Sequence, residues 1–169
     1  MARIRKKRKL PAVFLFLAGI LFVACMIGVF TRMIVLQKQW TDFKIDLAEA
    51  AADGSAENSV IVQDGETFYI LHAQNCQWLC SQIMAAKQLP FQREIPKNSD
   101  LILAFPNGSV MELTEREDNG VFLSFLTADG ESYRFALGEL AKWDTYYTIL
   151  TEGFAFKNVS ASPEAMLIP

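Results

Sequence analysis

Residues 10–30 carry no charged side chain, and six of the nine residues before them are Lys or Arg. As a helix rising about 1.5 Å per residue, the uncharged run spans roughly 31 Å, the thickness of a bilayer's hydrocarbon core. Thirteen of its residues are Leu, Ile, Phe or Val. At about −0.3 to −0.6 kcal/mol each near the centre of an inserted helix, they favour insertion by roughly 4 to 8 kcal/mol. Pro11 falls in the first turn, where no intrahelical N–H is missed. This run ties the chain to a membrane, with lipid as the first expected partner.

The flanks set the expected orientation. Residues 1–9 hold +6, and Arg32 adds one charge beyond the run. Residues 37–169 hold nine Lys or Arg against all nineteen Asp and Glu, a net −10 concealed by the overall −3. The positive-inside bias places residues 1–9 in the cytoplasm and the acidic remainder outside the cell membrane as a single-pass protein. A domain of that charge is a poor partner for nucleic acid. A cleaved leader is the rival reading: a basic start, fifteen apolar residues and Ala24 before Cys25 loosely fit a lipoprotein signal, with Cys25 carrying the lipid. The chain stays apolar beyond Cys25, through Met26, Ile27, Val29 and Phe30 to Leu36, where a mature lipoprotein would open on a polar tether. Both readings put the domain on the outer face.

The membrane helix is assigned residues 10–36, and residues 37–52 continue it as a juxtamembrane amphipathic helix. Met33, Leu36, Trp40, Phe43, Leu47 and Ala50 recur at spacings of 3, 4, 3, 4 and 3, the pattern of a short coiled-coil seam. That stripe has two uses: packing on the domain below it, or pairing with a partner helix. On the second reading Met33, Leu36, Trp40, Phe43 and Leu47 are partner-binding positions. Residues 53–59 (Asp-Gly-Ser-Ala-Glu-Asn-Ser) read as a polar linker.

Residues 60–150 read as the outer domain. Asp64-Gly65, Asn107-Gly108, Asn119-Gly120 and Asp129-Gly130 each separate two apolar runs, a hairpin signal expected of type I′ turns. The strands predicted are 60–62, 67–71, 101–105, 110–114, 121–127 and 131–137. One soluble helix, over 73–88, places Cys76, Leu79, Cys80, Ile83, Met84 and Lys87 on one stripe. The segment 139–150 starts like a short helix and ends β-like at Tyr146-Tyr147-Thr148-Ile149; residues 151–169 form a tail, a loose strand followed by disorder. The fold class expected is α+β: a transmembrane helix, a juxtamembrane helix, and a small antiparallel sheet with one packed helix in the order β-β-α-β-β-β-β.

Catalytic and cofactor patterns are missing. His72, Cys76 and Cys80 stand at i, i+4, i+8, but a structural zinc site needs four ligands from a looped framework, and a straight helix cannot wrap a metal. The two thiols read as small buried hydrophobes, with a disulfide as the alternative. The acidic group Glu112, Glu115, Glu117 and Asp118 runs up to a hairpin tip and reads as a solvated turn. No nucleophile elbow, phosphate loop or Cys-x-x-Cys pair occurs. Trp78 lies off its helix stripe, either packed in a second contact or part of an exposed binding patch. Over residues 1–52, the basic head, single span and short seam are similar in plan to the septum-formation-initiator proteins of bacterial division. The β-rich remainder departs from those mostly helical chains, and no residue role carries over.

The expected function is a non-enzymatic accessory subunit of a membrane or cell-envelope complex, needing no cofactor or metal. It would meet other membrane proteins through the span and the juxtamembrane helix. The alternative is an extracytoplasmic domain that senses or binds a small ligand whose identity the sequence does not give.

Overall fold

The computed structural model describes residues 12–52, 59–90, 98–138, 141–152 and 154–157; residues 12, 13 and 154–157 are described by backbone alone. The expectations for the basic head at 1–9, for most of the linker and for the end of the tail lie outside these residues. The chain divides into two units, Met1–Lys38 and Gln39–Pro169. The helix α1 (Ala12–Ala52) opens in the first unit and ends in the second.

In the first unit every described side chain from Phe14 to Val35 is exposed, including Phe14, Phe16, Leu21, Ile27 and Phe30. The helix is long and apolar enough to cross a membrane, and none of its most apolar window is buried within the chain. An aqueous helix shows an apolar stripe and a polar face; this one is apolar all round.

The second unit is one antiparallel sheet with helices on one face. Its strands are β1 (Val60–Asp64), β2 (Thr67–Leu71), β3 (Lys87–Gln88), β4 (Leu101–Ala104), β5 (Val110–Glu115), β6 (Val121–Leu126), β7 (Ser132–Gly138) and β8 (Phe154–Lys157). They lie side by side in the order β3-β7-β6-β5-β4-β1-β2-β8. Period-two alternation sends Val60, Val62, Leu103, Met111, Leu123, Phe125 and Phe135 into the core. The helices α2 (Ala73–Ala85) and α3 (Trp143–Glu152) contribute Cys76, Leu79, Cys80, Ile83, Trp143, Tyr146 and Leu150 to the same core. Residues 39–52 of α1 complete it, since Trp40, Phe43, Leu47 and Ala50 are all buried there. The Phe43 ring meets Phe125 edge-on at 5.6 Å and Phe135 at 5.2 Å, and Trp40 stands T-shaped on Phe135 at 4.8 Å. The expectation of one packed helix is therefore corrected to three. The apolar stripe at 40–50 serves its own domain, because the sheet face is wider than α2 alone can cover.

Two further corrections concern local chemistry. The turns are not type I′. The β4–β5, β5–β6 and β6–β7 loops each hold three residues, closed by Phe105 N–H to Ser109 O, Arg116 N–H to Gly120 O and Thr127 N–H to Glu131 O. Such loops end on one residue in the left-handed region. Gly108 (φ 87°) and Gly130 (φ 89°) fill it in two of them, and Asn119 (φ 56°) in the third. Asn119 then caps α3: its carbonyl accepts from Trp143 N–H, its Oδ1 accepts from Asp144 N–H at 3.1 Å, and its Nδ2 donates to Asp144 Oδ2 at 2.8 Å. Two otherwise orphaned helix N–H groups are so satisfied, a contribution of about 0.5–2 kcal/mol. Tyr146–Ile149, read as β-like, is helical. Its β-branched and aromatic residues fit a strand by propensity, yet Trp143, Tyr146 and Leu150 bury at 3 and 4 spacing. The helix predicted over 73–88 ends at Ala85, and Lys87–Gln88 instead pairs with Gly138 and Leu137.

Phe43→Ala should therefore destabilise the domain by about 3–5 kcal/mol, the range for truncating a fully buried aromatic. Urea unfolding followed by tryptophan fluorescence measures it; a loss of under about 1 kcal/mol would place α1 outside the core.

Candidate functional site

A polar concavity lies where two hairpin tips meet α1. The β4–β5 tip supplies Asn107 and Ser109; the β6–β7 tip supplies Thr127, Ala128, Asp129 and Glu131; α1 supplies Asp46 and Glu49. All belong to the second unit. The two tips are locked by Ser109, itself buried. Its N–H donates to Asn107 Oδ1 at 3.0 Å, and its Oγ accepts from Ala128 N–H at 3.3 Å. On the other tip Thr127 Oγ1 accepts from Glu131 N–H at 2.9 Å.

Behind two of these carboxylates lies Tyr133, only 7% exposed. Its hydroxyl lies 2.6 Å from Asp46 Oδ2 and 2.8 Å from Glu131 Oε2. Burial first, and then the two facing carboxylates, push its ionisation well above the usual tyrosine range, so it stays a protonated donor at working pH. One phenolic proton thus faces two carboxylates, with Glu49 and Asp129 on the same rim and no Lys or Arg among the lining residues. The field of such a lining favours a cationic group. The cleft is about 230 Å³, below the roughly 300–1,000 Å³ typical of sites that enclose a small molecule. It suits the end of one basic side chain better than a whole metabolite.

The partner-binding positions read from the sequence are not gathered at this cleft. Trp40, Phe43 and Leu47 are inside the core, Met33 is exposed in the first unit, and Leu36 is half-buried. Trp78 is partly buried against the core, its ring T-shaped to Tyr146 at 6.4 Å. Of the two uses read for the stripe, residues 40–47 take the first: their apolar side chains pack on the domain itself. The partner-binding reading of Trp40, Phe43 and Leu47 is corrected, because a partner helix cannot reach them there. His72 is exposed at the N-cap of α2 and its side chain makes no cap bond. Cys76 and Cys80 are buried free thiols; Cys80 is pushed up chiefly by its hydrogen bond to Cys76, which the same bond lowers. Glu112, Glu115, Glu117 and Asp118 are all exposed, and Asp118 pairs with Arg116 at 2.9 Å. Among the described residues no three His, Cys, Asp or Glu side chains are grouped to hold a metal ion.

Sequence reasoning missed the cleft because its lining comes from three separate segments and its acids from two of them, α1 and the β6–β7 tip. The available signal was the equal spacing of Gly108, Asn119 and Gly130, eleven residues apart, which sets successive hairpins in register. Replacing Tyr133 with Phe should cost about 1.5–3 kcal/mol, the worth of a hydrogen bond to a charged acceptor, because it also leaves Asp46 and Glu131 facing each other undivided. Thermal unfolding of Tyr133→Phe checks it; a melting temperature equal to the parent's would deny the hydroxyl that role. Compared with known proteins, the chain matches no family model, no curated protein and no solved structure.

Proposed function

We propose that the chain is a single-pass membrane protein whose α+β domain faces the outside of the cell and serves as a non-enzymatic interaction module of a membrane or envelope complex. One observation carries the reading: the side chains from Phe14 to Val35 are uniformly apolar but for Arg32 and Thr31, and none is covered by the chain. Exposing that many Leu, Ile, Val and Phe side chains to water is unfavourable by about 1.5–3 kcal/mol apiece. Lipid relieves the cost. The +6 head and the −10 domain orient the span with the domain outside. Nine residues separate Phe30 from Trp40, the first side chain buried in the domain core. At about 3.6 Å per residue at most, that connection keeps the domain at the membrane.

A small, rigid, acidic cleft on such a domain favours contact with a basic segment of another protein over capture of a metabolite. Two of the cleft's four carboxylates, Asp129 and Glu131, lie at a hairpin tip tied to its neighbour by Ser109. The other two, Asp46 and Glu49, lie on α1, so all four are pre-organised for a docking contact.

Membrane fractionation with protease protection tests this. The protein should stay in the pellet after alkaline carbonate extraction. In intact cells stripped of outer barriers, added protease should destroy the domain and spare a tag at residue 1. Release of the full-length chain by carbonate, or protection of the domain, would overturn the proposal. Loss of retention in Cys25→Ser would replace the span with a lipid anchor.

A further inference from the structure

The face of α1 turned away from the domain core has its own pattern. Within the second unit Thr41, Ile45, Ala48 and Ala52 recur at spacings of 4, 3 and 4, and all four are exposed, Ile45 at 55%. An isolated exposed isoleucine needs no explanation, but this one sits in a heptad with small neighbours. Taking Thr41 and Ala48 as d positions makes Lys38, Ile45 and Ala52 the a positions. Positions 40, 43, 47 and 50 of the seam read from the sequence are buried, and a second stripe lies on the opposite side of the same helix.

We infer that this outward face of α1 is the contact between two copies of the chain, packed as a parallel two-stranded coiled coil. Charge complementarity selects a second copy. On this register Lys44 is a g position and Glu49 the e position five residues on, and a parallel pair brings g of one helix to e of its partner. Lys44 and Glu49 stand on opposite flanks of the stripe, so a two-fold axis pairs each with its opposite number twice. Lys38 is a single charged a position, a residue that sets register and strand number at some expense of stability. Parallel orientation rests on the proposed membrane anchoring, which inserts every copy the same way round. The covered face and the pairing face are distinct: Trp40, Phe43, Leu47 and Ala50 hold α1 to the sheet while Ile45 and Ala48 remain outside.

Cysteine crosslinking in native membranes tests the inference. In a Cys25→Ser background, with Cys76 and Cys80 buried, Ile45→Cys and Ala52→Cys should each give a disulfide-linked homodimer on mild oxidation. Gln39→Cys, exposed but off the stripe, should not. Glu49→Lys should weaken crosslinking at Ala52→Cys, and adding Lys44→Glu should restore it. Equal crosslinking at positions 39 and 45, adducts only with another protein, or no rescue by the charge swap would overturn the homodimer. A chain that fractionates with the membrane yet fails these tests would leave the anchoring intact; a chain released by carbonate would remove the anchoring itself.

Discussion

The structure depends on the packing of Phe43 and Leu47 against the sheet. A single antiparallel layer has an apolar face to cover, and α2 and α3 contribute only part of the cover. Residues 39–52 of α1 fill the remainder, over the rings of Phe125, Tyr133 and Phe135. The second unit therefore includes the end of the helix whose first part is long and apolar enough to cross a membrane. Removing the helix as a mere anchor would leave a sheet with its largest aromatic cluster open to water.

That arrangement gives one helix two surroundings, uncovered in the first unit and packed in the second. From Phe14 to Phe30 α1 is apolar on every face, the character of a helix able to cross a membrane. From Trp40 onward it has three different sides. One is buried on the sheet, one carries Asp46 and Glu49 to the acidic cleft, and one presents Thr41, Ile45 and Ala48 outward. Glu49 borders both the cleft and the proposed outward seam, so a basic partner and a second copy would share that carboxylate. Tyr133 links cleft and core, since its ring lies in the aromatic cluster and its hydroxyl meets Asp46 and Glu131.

Much of the fold was legible in the residues, for reasons that differ by element. Strands β1, β2 and β4–β7 announced themselves by alternation between Gly-marked turns, and each was found within a residue or two of its expected bounds. The turn chemistry was not legible, because Asn-Gly fits two loop types; at the β5–β6 tip the left-handed residue is Asn119 and not Gly120. Strand β3 is two residues long and carries no period to read. Helix α3 was half-read, since Tyr146-Tyr147-Thr148-Ile149 favours β locally and only its packing against Trp78 and the core makes it helical. The stripe at Met33–Ala50 was visible as a stripe, but a period cannot say whether its partner is the same chain or another. The cleft was invisible, because no linear pattern connects Asp46, Ser109 and Glu131.

Spin-label accessibility along α1 in vesicles tests the central claim, that one helix passes from lipid into the core of its own domain. Labels from position 14 to about 30 should be reached by oxygen dissolved in lipid and shielded from a water-soluble paramagnet, on every face of the helix. From position 39 onward the pattern should become periodic, with 40, 43, 47 and 50 reached by neither reagent and 45 and 48 outside the domain core. Free access of the aqueous reagent to the first stretch, or to position 43, would contradict the account.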